Sequence, residues 1–420
     1  MQPRNNEPEH FMMWVALVIT IIGVCMIMAG SASGQVLRPS SECTTAELYY
    51  CEIFHLDPCP CEGAEISRVA PFGAPIDPWA GSYMLPKTIG VIQIAYEPEP
   101  VRRPVSAHMT SYELLDEVAP EGFGSLKIWM DAIPFEGMGE WCWETYWGKE
   151  LCGNYNHEAL EMERFWTSIP DGMVVFLRPE SPAWTWYQEN PCIDGDGDGP
   201  ALALADYYSI ATRLFETIGD HNIQVVLTDW EQDWQSCQEE NGGLEFTLRL
   251  VEQRQDGVER ARKEAYIRAG HRPKLQVFHA IIVNKYPNNA PDWAWPYLTE
   301  MIPTLEHRPD FIGLSYWLKG SDPIETLQWI SDTTGYPPHR IYIDELGSNE
   351  SSQAQRFSDY IPAIWEWGVR TINIWLWRQT WCAVPVTANK GLWKQLQPCD
   401  GKVVFGEPTD GLEVLRRMVR

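Results

Sequence analysis

Histidine is scarce in this chain, at 9 of 420 residues, and basic side chains are outnumbered by acids, 32 to 58. The formal net charge of -26 repels nucleic acid and anionic lipid and points to a neutral or cationic partner, although much of it serves to keep a surface solvated. A metal-dependent barrel hydrolase needs several strand-end histidines, and His279 alone sits near such a place. The first strand-like run is followed by "IAYEPEPVRRP", which has no glycine-rich phosphate loop, and this argues against an open nucleotide-binding sheet. Internal repeats and low-complexity linkers are also missing. With 45% hydrophobic residues the chain is rich enough in apolar side chains to fold around a sizeable core, which excludes a disordered protein.

What is present begins with an export signal. Phe11 to Gly30 is an uncharged run of twenty residues, followed by the small-residue stretch "AGSASGQ". It fits a signal peptide over residues 1–34 or a retained membrane anchor, and either places the rest of the chain outside the cytoplasm. The eleven cysteines agree. Cys25 lies in the hydrophobic run, and the even number left suits disulfides in an oxidising compartment. Cys43, Cys51, Cys59 and Cys61 crowd an N-terminal extension (35–87). Cys142/Cys152, Cys192/Cys237 and Cys382/Cys399 are plausible local pairs, though spacing does not fix connectivity.

From residue 88 a rhythm sets in. Eight apolar runs, at 88–96, 125–133, 172–180, 223–231, 274–283, 311–318, 340–347 and 371–379, read as parallel strands buried on both faces. Helical patterns lie between them, at 201–219, 244–270, 321–335 and 351–368, each closing on glycine. Eightfold strand–helix alternation predicts an α/β protein with a closed (β/α)8 TIM barrel over 88–380. The N-terminal extension and a C-terminal tail (381–420) would wrap it.

Active sites of such barrels lie at the C-terminal ends of the strands. The seventh run, "RIYIDELGS", ends on two acids. By the two-residue period Ile341, Ile343 and Glu345 share a face, as do Val225, Leu227, Asp229 and Glu231 on the fourth. If these are the inward faces, Glu231 and Glu345 meet across the mouth.

Glutamates ending strands four and seven resemble the pattern of clan A retaining glycoside hydrolases. "IYIDELG" is similar to that clan's nucleophile strand, "DFIGLSYW" to its sixth strand, and "INIWLW" to its eighth. The resemblance implies Glu345 as nucleophile and Glu231 as acid/base. It further implies Tyr316 touching the nucleophile, and strand-eight tryptophans (Trp375, Trp377) under the sugar. It departs at strand four, where Trp230 stands in place of the clan's usual asparagine, so Asp229 and Asp233 remain candidates for the acid/base. Retention needs carboxyls about 5–5.5 Å apart. Arg178, on the third strand, is the barrel arginine expected to meet these acids or the substrate.

The 21 tryptophans favour a carbohydrate partner, because sugar C–H faces pack on flat rings. Trp184, Trp186 and Trp230 follow strand ends and are expected to line a cleft. "DGDGDG" places Asp194, Asp196 and Asp198 as in the first half of a calcium loop, without the closing glutamate; a bound calcium would be structural, and catalysis needs no cofactor. The expected protein is an exported polysaccharide- or oligosaccharide-cleaving enzyme, touching membrane only through its N-terminus. The alternative is a non-catalytic carbohydrate-binding protein on a glycosidase-like barrel.

Overall fold

The computed structural model describes residues 83–93, 111–130, 165–179, 199–231, 243–284, 297–317, 322–377, 391–396 and 404–420, with short strand pairs at 38–39, 61–62, 143–144 and 150–151. For Asp229, Trp230 and Glu231 the description is of the backbone. The cysteines' pairing, the hydrophobic N-terminal run, Trp184, Trp186, Asp233 and the aspartates Asp194, Asp196 and Asp198 all lie outside it. Among the described residues no helix is long and apolar enough to cross a membrane, and none form a metal-binding cluster. The chain divides into two compact units, Met1–Ile76 and Asp77–Arg420. In the first, Arg38–Pro39 pairs in parallel with Cys61–Glu62.

The second unit is the expected barrel. Its strands are β1 (Thr88–Gln93), β2 (Ser125–Met130), β3 (Val174–Pro179), β4 (Gln224–Glu231), β5 (Gln276–Val283), β6 (Phe311–Trp317), β7 (Ile341–Gly347) and β8 (Thr371–Trp375). Each pairs with the next in parallel, and β8 closes on β1. All eight fall within the apolar runs, because a strand covered on both faces must be apolar on both. The helices are α1 (Ser111–Val118), α2 (Gly199–Ile218), α3 (Gly243–Ala269), α4 (Pro323–Thr334) and α5 (Glu350–Trp367). Asp322 caps α4 by accepting the Ile324 N–H at 2.8 Å, and Gly335 ends it in a left-handed conformation, φ 73°. A hairpin of β9 (Trp393–Leu396) and β10 (Val404–Pro408) precedes the terminal helix α6 (Asp410–Val419), which packs on α5.

Contacts between strands that are not neighbours fix which side chains point inward. Phe176 of β3 packs on Tyr342 of β7 with centroids 4.7 Å apart, and Lys127 of β2 pairs with Asp344 of β7. The register then aligns the inward set: Gly90, Ser125 and Asn373 in one layer, and Ile92, Lys127 and Phe176 across the next pairs. The lower end is closed by residues 83–87. Tyr83 lies against Phe278, and the carbonyls of Leu85 and Pro86 accept from Arg370 Nε at 2.7 Å and Thr371 Oγ1 at 2.9 Å.

This corrects the expected faces. On β7 it is Tyr342, not Ile341 or Ile343, that enters the barrel; on β4 it is Gln224, Val226 and Thr228, not Val225 and Leu227. Both faces of each strand are apolar, since one meets the interior and the other the helices. The two-residue period alone therefore could not choose between them.

Gly90 is required where it stands. A Cβ there would lie 1.8 Å from Ser125 Oγ, 2.5 Å from the Ser125 carbonyl and 2.6 Å from Asn373 Oδ1. Gly90→Ala is expected to destabilise the barrel by about 2–3 kcal/mol, read as a lower urea midpoint at unchanged slope; an unchanged midpoint would refute this packing.

Candidate active site

Two β-bulges rebuild the upper end of the barrel. On β7, Leu314 pairs with Ile343 but Ser315 pairs with Glu345, so Asp344 is the extra residue. In a bulge two residues oppose one, and the strand turns locally. Asp344 and Glu345 are thereby both brought to the inner side. Without the bulge an alternating strand would send one of them to the helices. On β4 the pairing jumps from Thr228–Ala280 to Glu231–Ile282. Glu231 thus takes a register position opposite Ile282, on the inward side of β5.

Lys127 lies between the acids of β7. Its Nζ bonds Asp344 Oδ2 and is 3.5 Å from Glu345 Oε1. All three are buried, Glu345 least so at 8% exposed. Arg178, 5% exposed, sits two residues beyond the inward Phe176 and adds a second positive charge close enough to act on Asp344. Burial pushes the Asp344 carboxyl above the usual carboxylate range, while Lys127, the Tyr342 hydroxyl and Arg178 pull it back.

Above the acids the inward positions are aromatic. Trp317 ends β6 and meets Trp375 of β8 edge to face, 5.7 Å between centroids. Gly347 passes beneath them: a Cβ there would be 2.5 Å from the Trp317 ring. Ile92 and Leu376 complete this cluster.

Two residues expected here are elsewhere. Tyr316 alternates with the inward Ser315 and Trp317, pairs with Leu346, and is fully buried on the helix side of β6. Trp317 holds the inward place. Trp377 is 1% exposed; its indole N–H donates to Glu117 of α1 at 2.8 Å and its ring meets Phe123 and Trp393 edge to face. The chain leaves the strand period after Trp375, so spacing from Trp375 no longer predicts direction. His279 lies outside the barrel, against Tyr207 of α2 and Gln255 of α3. Lys127 and Asp344 were missed by sequence reasoning. A lone lysine inside "SLKIWM" was the available signal, because a buried strand carries a charge only when a partner awaits it.

Solved structures share this barrel. A beta-glucosidase designated 1317 matches with a TM-score of 0.50 and 13% identity over 80% of this chain and 98% of its own. The chain has the fold of that glucosidase. A beta-glucosidase from Exiguobacterium marinum matches at 0.50 and 9% over 79% and 98%. A GH5_18 protein from Streptomyces cattleya in complex with Manb1-4GlcNAc matches at 0.50 and 13% over 79% and 80%. No protein-family model and no curated protein matches the sequence.

The raised Asp344 has a sign for stability. A carboxyl that holds its proton more tightly when folded contributes stability at low pH and loses it as pH rises through the ordinary carboxylate pKa, about 3.9, toward its raised value. Asp344→Asn removes that loss. The unfolding free energy of the variant, relative to the parent, is expected to improve steadily as pH rises from about 4, as read by urea denaturation. A difference that worsens with pH would contradict the buried-carboxyl assignment.

Proposed function

We propose that the protein is an exported retaining glycoside hydrolase in which Glu345 is the nucleophile and Glu231 the acid/base. The observation that carries this reading is the β7 bulge, which holds Glu345 at the inner rim beside Lys127 and below Trp317 and Trp375. A nucleophilic carboxylate must be ionised, and an ammonium 3.5 Å away favours the ionised form. It must also be reachable, and Glu345 is the more exposed of the two β7 acids.

Glu231 suits the second role because its register position faces inward from β4, with β5 and β6 between it and Glu345. In the double displacement, Glu345 attacks the anomeric carbon while Glu231 protonates the leaving oxygen. Glu231 then deprotonates a water that releases the sugar with its configuration retained. Trp375 and Trp317 offer apolar faces for a sugar ring, and the complex of the Streptomyces cattleya neighbour with Manb1-4GlcNAc is consistent with a carbohydrate substrate. Export rests on the N-terminal run and the cysteines, with the run acting as signal or anchor. A calcium ion held by Asp194, Asp196 and Asp198 would pin the loop after β3.

A hydrolysis screen over a glycan panel, with product anomers followed by NMR from the first turnover, is expected to give a substrate cleaved with retention. Glu345→Gln is expected to lower turnover more than ~10³-fold with sugar binding kept. Full activity in that variant rejects the assignment. Binding across the panel with no reducing ends released favours the non-catalytic alternative.

A further inference from the structure

Among the described residues the site holds one acid beyond those a two-glutamate mechanism uses. Asp344 is fully buried, immediately precedes Glu345, and takes the closer of the two contacts that Lys127 makes. Among the described side chains the titratable groups facing this pair are Lys127 from β2, Arg178 from β3, and Tyr342 and Glu345 from β7 itself; the backbone of β4 places Glu231 at the register position opposite Ile282. The other described inward positions at this level are neutral: Gly90 and Ile92 on β1, Thr228 on β4, Ala280 and Ile282 on β5, Ser315 and Trp317 on β6, Asn373 and Trp375 on β8.

We propose that Asp344 is a positioning residue that competes with Glu345 for Lys127 and so sets how readily Glu345 ionises. This deepens the two-glutamate reading and rests on it for its catalytic meaning. When Asp344 is charged, Lys127 is drawn to it and Glu345 keeps a shared cation beside a like charge; both features disfavour its carboxylate. When Asp344 takes a proton, Lys127 is released to Glu345 and holds it ionised. An acid beside the nucleophile thus acts on it through the shared lysine, without touching substrate.

The test follows the Glu345 carboxyl directly. The full-length protein is labelled with [δ-13C]glutamate, and the resonance missing from Glu345→Gln identifies it. Its titration midpoint is then compared in the parent, Asp344→Asn, Lys127→Met and the double variant. Asp344→Asn is expected to lower the midpoint by about one pH unit, and Lys127→Met to raise it by a similar amount. In the Lys127→Met background, Asp344→Asn is expected to lower the midpoint by less, because the like charge and Arg178 remain while the shared cation is gone. An unmoved midpoint in Asp344→Asn overturns the proposal, and so does a shift that is undiminished without Lys127. The double variant leaves no unpaired member of the buried pair and is the form expected to fold best. If Lys127→Met fails to fold, the parent and Asp344→Asn midpoints decide alone. Turnover by Glu345→Gln would remove the nucleophile assignment and leave this comparison intact, so the two failures are told apart.

Discussion

An ammonium group buried inside a ring of strands has to be neutralised there, and around Lys127 this requirement shapes the upper half of the barrel. Taking a lysine and a carboxylate out of water costs several kcal/mol each, repaid only when geometry is close and further partners are present. The β7 bulge supplies that geometry by setting Asp344 and Glu345 on one side of the strand. Arg178 adds a second positive charge that acts on Asp344. The result is a charge cluster held by backbone pairing on both sides, with one carboxylate partly open to the mouth. Such preorganisation is what allows a charged group in a low-dielectric site to act without first being reoriented.

The rest of the molecule holds this arrangement still. Below the cluster, Phe176 and Tyr342 fill the barrel centre and Phe278 packs on Phe311 near the floor. Above it, the chain that follows β7 is tied to the C-terminal region through one side chain. Gln353 of α5 donates to the carbonyls of Ser348 and Gly391 and accepts from Thr409, the residue that caps α6. Trp377 contributes in the same way, pinning the end of β8 to α1 and to Trp393 of β9. A tryptophan expected to touch sugar thus serves the scaffold. Outside the ring, Asp310 accepts from Arg262, Gln255 and the His279 backbone, locking α3 to the β5–β6 edge.

How far the sequence could be read differed between elements. The eight strands and four of the helices were legible because each depends on a local pattern of apolar spacing, caps and glycine stops. Asp322 before Pro323 and Gly335 after Thr334 is a case in which local chemistry alone delimits a helix. The direction of side chains within those strands was not legible. A strand apolar on both faces gives the two-residue period nothing to choose between, and a bulge resets the period where it occurs. The glutamates at the ends of β4 and β7 take inward register positions in spite of an inverted face assignment, because in each strand the bulge restored the parity that the assignment had wrong.

The sequence by itself determined the barrel, its strand order and the presence of an acid at the end of β7, since these follow from composition and short-range pattern. Tertiary structure decided that Lys127 is that acid's neighbour, that Asp344 shares it, and that Trp317 replaces Tyr316 at the mouth. Lys127 and Asp344 are separated by 217 positions in the chain, and only closure of the ring makes them neighbours.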